Sequence, residues 1–242
     1  MIDLTLDDGL AVLTIDRPHA RNAISLATMD ELEKVLDAAA GARALVIRGA
    51  GDRAFVSGGD LKELAAIRTE EDAAAMAWRM RGICDRIAAF PAPVIAALNG
   101  HALGGGAEVA VAADIRVAAD DIRIGFNQVT LAIMPAWGGA ERLAALVGRG
   151  RALMLAGAGT VLDAAEAQRL GLVDRVVPRE DFDEEWRSLA RALATGPAAE
   201  IKRVMDEGTS ADEAVHAFAR LWAADAHWEA ADRVMNRGRS GR

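Results

Sequence analysis

From Ile87 to Ala107 the chain runs for 21 residues without a charged side chain, long enough on length alone to cross a bilayer. Pro91, Pro93, Asn99, His101 and the glycines at 100 and 104–106 interrupt it, so one continuous apolar helix is excluded. The stretch must instead fold into a protein core: a strand over Val94–Leu98, a glycine-rich turn, and a short helical pattern through Ala113 that contains one carboxylate, Glu108. A core of that size is available. With 242 residues, 52% hydrophobic and 26% charged, the chain has the composition of an ordinary globular protein that buries most of its surface.

Several function classes are disfavoured by composition. A net charge of −8 opposes non-specific binding to nucleic acid, which needs clustered Lys and Arg, although a local basic patch can still meet an anionic ligand. The acidic start, MIDLTLDD, lacks the basic and apolar regions of a secretory signal, and the expected location is cytoplasmic. Cys84, the single cysteine, excludes an intrachain disulfide and reads as a small core residue on a helical stripe with Met80. His19, His101, His216 and His227 are scattered, with no metal-ligand spacing.

Strands rich in Val, Ile and Leu are expected at Leu10–Ile15, Ala44–Arg48, Val94–Leu98, Ile115–Ala118 and Val173–Val177. The clearest helix follows Thr69, which begins a T-x-x-D capping box with Asp72. Met76, Met80, Ile83 and Ile87 then mark a buried stripe that stops before Pro91. Alternation of strands and helices predicts an α/β core with mainly parallel strands over residues 1–180. Residues 181–242 read as helical, over Phe182–Ala194, Pro197–Glu207 and Ala211–Val234.

Three segments can carry chemistry. In RAFVSGGDLKEL, residues 53–64, Gly58 and Gly59 allow a sharp turn that presents an N–H unobstructed by a Cβ, ahead of a charged, helical segment. Ser57 is not a nucleophile elbow, because Phe55 stands where G-x-S-x-G needs glycine. In NGHALGGGAEVAVAAD, residues 99–114, three glycines open a helix whose unpaired N–H groups and dipole favour a negative oxygen. Val109 stands where a dinucleotide GxGxxG would need its last glycine. Glu108, in apolar company, is either half of a structural ion pair or a catalytic acid or base. In IGFNQVTLAIMPAWGGAERL, residues 124–143, a loop leads through Pro, Trp and a glycine pair into a helix.

The order and spacing of these segments, with DRPHARNAIS at residues 16–25, resemble the enoyl-CoA hydratase/isomerase (crotonase) family, and the resemblance runs from about Ile2 to the C-terminus. It implies a spiral of β-β-α turns, a helical C-terminal oligomerisation region, and assembly as a homotrimer or dimer of trimers. It implies an acyl-CoA thioester whose oxygen is held by the N–H groups of Gly59 and Gly105. It also implies that Lys62 meets the CoA phosphates and that the loop around Ala20–Ala23 approaches the adenine. No cofactor is expected, since coenzyme A enters with the substrate.

Hydratases of this family use two glutamates; Glu108 matches the first, and Gln128 stands at the second, where an amide can orient water but has no proton to exchange. Decarboxylation of a methylmalonyl- or ethylmalonyl-type thioester needs no base, because loss of CO₂ itself forms the enolate. MPAWGGAERL, with Trp137 ahead of the glycines, resembles the ethylmalonyl-CoA decarboxylase branch. The expectation therefore leans slightly to decarboxylation, with two alternatives: hydration by Glu108 while Gln128 orients water, and an inactive acyl-CoA-binding subunit. Ala65, Met80 and Trp137 are the candidates for lining the acyl pocket.

Overall fold

The structure is a computed structural model and describes residues 1–205 and 208–237. Among the described residues ten strands form two sheets. The first has the order β1 (Ile2–Asp7), β2 (Leu10–Ile15), β3 (Ala44–Gly49), β5 (Val94–Leu98), β7 (Ile115–Ala119), β10 (Arg175–Val177). The second has the order β4 (Ala54–Val56), β6 (His101–Leu103), β8 (Arg123–Gly125), β9 (Val161–Asp163). Only the β1–β2 and β8–β9 pairs are antiparallel.

Connectivity makes the spiral. Three times the chain crosses sheet one, then sheet two, then turns back through a helix: β3, β4 and α2 (Glu70–Ala88); β5, β6 and α3 (Gly105–Ala112); β7, β8 and α4 (Gly139–Val147). Successive turns pair in parallel, which buries the middle strands on both faces; every residue of Val94–Leu98 is buried, and so the strand is uniformly apolar. α1 (Leu26–Ala38) is capped by the Ser25 hydroxyl, which accepts from the Thr28 N–H at 3.2 Å.

The α/β class, the five expected strands and the helix after Thr69 are all present. Met80, Ile83, Cys84 and Ile87 form the buried stripe of α2, and Ala88 ends it before Pro91. Thr69 caps through the Asp72 N–H, but Asp72 returns to the Thr69 hydroxyl instead of its N–H, so the box is one-sided. Five further strands, β1, β4, β6, β8 and β9, stand beyond those expected, four of them only three residues long. The charged segment after Gly59 is not an α-helix; it makes turns and a single 3₁₀ turn at Leu64–Ala66.

The C-terminal region is helical. α5 (Arg149–Ala158) and α6 (Ala164–Arg169) precede it, and α7 (Phe182–Thr195) lays Trp186, Ala190 and Ala194 on the first sheet. α8 (Ala198–Met205) is tied to the core by Lys202, whose ammonium reaches Asp114 at 2.8 Å and the Ala92 carbonyl at 3.2 Å. The expected end of that helix, at residues 206–207, lies outside the described residues. Ala211–Val234 is two helices, α9 (Ala211–Ala223) and α10 (Asp225–Arg237), because Ala224 is extended. Among the described residues no helix is long and apolar enough to cross a membrane.

Candidate active site

The two glycine turns meet at the ends of β4 and β6. Gly58 adopts φ +94°, a left-handed conformation that glycine takes without strain, and a Cβ there would stand 3.2 Å from the Gly105 nitrogen. The Ile24 N–H donates to the Gly58 carbonyl and the Asp60 N–H to the Ile24 carbonyl, each at 2.8 Å. Those bonds fix the turn and leave the Gly59 N–H between them without an acceptor among the described residues. Gly105 opens α3, where an N–H has no intrahelical partner, and it too donates to nothing described. Two free amides on neighbouring rigid turns can hold one anionic oxygen.

The first loop packs against this pair. Asn22 holds it by accepting from the Arg17 N–H at 3.0 Å and donating to the Ala50 and Ala54 carbonyls at 3.0 and 2.7 Å. Arg21 and Asn22 both have left-handed φ, 53° and 56°, a strain that this network sustains. The buried Arg17 guanidinium donates to the Ala23 carbonyl at 2.5 Å and pairs with Asp60 at 3.0 Å and with Glu63, so the first loop and the Gly59 turn form one unit. Ala20 sits half-buried in the 3₁₀ turn Pro18–Ala20. Lys62 is exposed just past Gly59, and its ammonium is unpaired among the described residues.

Glu108 lies one turn along α3 from Gly105 and is 2% exposed. It is not in an ion pair. One oxygen accepts from the Gln128 amide at 2.8 Å; the other accepts from the Trp137 N–H at 2.7 Å and the Gly139 N–H at 3.0 Å. Removal from water raises its pKa above the ordinary carboxylate value, opposed by those donors. Gln128 begins a 3₁₀ turn, Gln128–Leu131, and its carbonyl oxygen Oε1 is buried with no partner among the described residues. Because an ionised carboxylate only accepts, the amide must present its NH₂ to Glu108, leaving that oxygen for another donor.

Glycine is required where the site is tightest. A Cβ on Gly139 would come within 2.3 Å of the Glu108 Cγ, and one on Gly105 within 2.1 Å of the Trp137 ring. The structure therefore brings Gly59, Gly105, Glu108, Gln128 and Trp137 together, while Ala20 lies in the first loop and Lys62 on the surface three residues past Gly59. Met80 is wholly buried on α2, whereas Ala65 is exposed. Sequence reasoning missed the Trp137 and Gly139 amides, whose only trace is the glycine pair itself. Cys84 is buried, which pushes its thiol up to about 12 and leaves it inert. A cleft of about 890 Å³, lined by Arg21, Arg53, Ser57 and His101 among others, does not include Glu108 in its walls.

The α/β spiral carries two free amides and one buried carboxylate at these turns, and the chain belongs to the enoyl-CoA hydratase/isomerase family, whose profile it matches over residues 5–227. It is 43% identical over 197 residues to a Bacillus subtilis (strain 168) protein named "Probable enoyl-CoA hydratase", covering 80% of this chain and 76% of that one. It is 39% identical over 220 residues to the crotonyl-CoA hydratase of Syntrophomonas wolfei, covering 87% and 83%. The crystal structure of an enoyl-CoA hydratase from Bacillus anthracis superposes with a TM-score of 0.84 at 32% identity, covering 93% of this chain and 91% of that one.

Proposed function

We propose that the protein adds water across the α,β double bond of an enoyl-CoA thioester. The observation that carries this reading is the Gln128 amide, which donates to Glu108 and keeps a buried acceptor free beside it. A water molecule bound there gives one O–H to Gln128 Oε1 and the other to Glu108. Glu108 removes the second proton as the oxygen attacks the β-carbon. Negative charge moves to the thioester oxygen, where the Gly59 and Gly105 N–H groups meet it; each such donor contributes about 10²- to 10³-fold in rate. The protonated Glu108 then delivers its proton to the α-carbon, and the net change is one water added.

Glu108 thus performs both proton transfers, and Gln128 orients without exchanging protons. This reverses the slight leaning toward decarboxylation: the relatives named as hydratases support the new order, and Gln128 has a task in hydration. Lys62 and the Ala20 loop take the CoA phosphates and adenine, and no further cofactor is called for. Incubation with crotonyl-CoA and, in parallel, methylmalonyl- and ethylmalonyl-CoA tests the assignment by mass spectrometry. Hydrated crotonyl-CoA is expected. CO₂ release without hydration would restore the decarboxylase reading, and binding without turnover would leave an inactive subunit.

The protein also assembles, in this proposal, as a homotrimer or dimer of trimers through residues 181–242. Phe218, Trp222 and Trp228 support it: they cluster on α9 and α10, with the Trp222 ring centroid 5.6 Å from each of the other two, and are 61%, 48% and 47% exposed. Light scattering is expected to give three or six times 25.5 kDa. Phe218→Asp with Trp222→Asp is expected to run as a monomer, because each charge sits in the apolar contact. A monomeric parent protein ends this part of the proposal.

A further inference from the structure

Trp137 bridges both halves of the site. Its main-chain N–H donates to Glu108, while its ring lies against Gly105 so closely that a Cβ there would meet three ring carbons at 2.1, 2.4 and 2.8 Å. Gly105 and Glu108 are three residues apart on α3, about 4.5 Å along the helix axis. The indole therefore flanks the line between the oxygen-binding amide and the carboxylate, which is the line an acyl chain must follow if it is to react at both. The surroundings of the carboxylate are also densely packed. The Trp137–Gly139 peptides cap the outer Glu108 oxygen, Gly139 touches the Glu108 side chain, and Met80, Ile83 and Cys84 of the neighbouring α2 are wholly or almost wholly buried.

The wall is held in place from behind. The Arg142 guanidinium donates to the Trp137 carbonyl at 3.3 Å and to Asp85 of α2 at 2.6 Å, and Trp137 is 7% exposed. With its main chain held at both N–H and carbonyl and its buried ring packed on Gly105, the indole does not swing aside for a longer tail.

We infer that Trp137 is the residue that sets the substrate class, walling the acyl pocket beside the oxygen-binding amide so that the site takes short-chain thioesters. This rests on the acyl-CoA reading of the site, but not on which reaction follows. Unreactive butanoyl-CoA and octanoyl-CoA separate the two questions, with affinities measured by calorimetry on the parent protein, Trp137→Phe and Trp137→Leu. Four additional methylenes buried in an open pocket would tighten binding on the order of 10²-fold. The parent protein is expected to bind octanoyl-CoA no more tightly than butanoyl-CoA. Trp137→Leu is expected to favour octanoyl-CoA by about 10-fold or more, with Trp137→Phe between them.

A 10²-fold preference of the parent protein for the longer chain overturns the inference, and so does an unchanged ratio in Trp137→Leu when both ligands weaken together. Should Trp137→Leu fail to fold, Trp137→Phe keeps an aromatic ring in place and decides by the same ratio. Short-chain selectivity that disappears on substitution, in a protein that leaves crotonyl-CoA unhydrated, would sink the proposed reaction and leave the wall standing.

Discussion

Glu108→Gln is expected to lower hydration of crotonyl-CoA by about 10³-fold while the protein continues to bind butanoyl-CoA, because in the proposed mechanism the one group that moves protons is gone and the Gly59 and Gly105 amides are untouched. The variant should fold. Its amide oxygen can accept from the Trp137 and Gly139 N–H groups, and its NH₂ can donate to Gln128 once the Gln128 amide turns over. Burial raises the Glu108 pKa, so the folded state holds that proton more tightly than the unfolded chain, whose reference value is 4.5. Stability is then greatest at low pH with respect to this group, falls as pH rises from the unfolded value through the raised folded value, and stays reduced above it. Calorimetric melting across that range should show the slope in the parent protein and its absence in Glu108→Gln. As a base Glu108 must be ionised, so kcat/KM should climb through the same raised pKa, above the ordinary carboxylate range. Full turnover by the variant would remove Glu108 from the mechanism.

Gly106→Ala carries the largest expected effect on folding. A Cβ at Gly106 would stand 1.7 Å from the Val56 carbonyl oxygen, a backbone atom of β4, so α3 must move bodily away from the second sheet. Overpacking of this kind costs about 3 kcal/mol, and the shift carries the Gly105 amide away from the Gly58–Gly59 turn, so activity should fall as well. Alanine is intrinsically the better helix former by about 1 kcal/mol, which makes the sign informative. Gly82, inside α2, is the control: a Cβ there meets nothing within 4 Å, and Gly82→Ala should stabilise by roughly 0.5–1 kcal/mol. Denaturant melts on the two variants should move in opposite directions, and a stabilised Gly106→Ala would refute the close approach of α3 to β4.

The parts of the fold that were legible are those whose residues face one environment. Val94–Leu98 is buried on both sides and reads as a strand from its composition alone. β4, β6, β8 and β9, at three residues each, are too short to repeat an alternating pattern and are held by their neighbours in the sheet. β1 is a different case: Asp8 and Gly9, both left-handed, form the D-G turn that announces a hairpin, and the alternation IDLTLD precedes it. The break at Ala224 has neither glycine nor proline to mark it. In the site, Glu108 was conspicuous because a carboxylate among alanines and valines requires a reason. Its main-chain partners were invisible, since a peptide N–H carries no side-chain signature, and they come from a loop some thirty residues away. The task of Gln128 depends on which of its amide atoms faces Glu108, a matter of geometry.

Gly105 and Glu108 share a single turn of α3, whereas Gln128 and Trp137 belong to a separate connection between β8 and α4 whose Leu131, Ile133 and Met134 face solvent. The first pair is a fixed ruler: nothing there changes without unseating a helix. The second can change one residue at a time while, in the proposed mechanism, the places where charge gathers and a proton lands stay where they are. A lineage selected in the laboratory for a different enolate reaction should therefore collect its substitutions between residues 127 and 137 and leave 104–108 as they are.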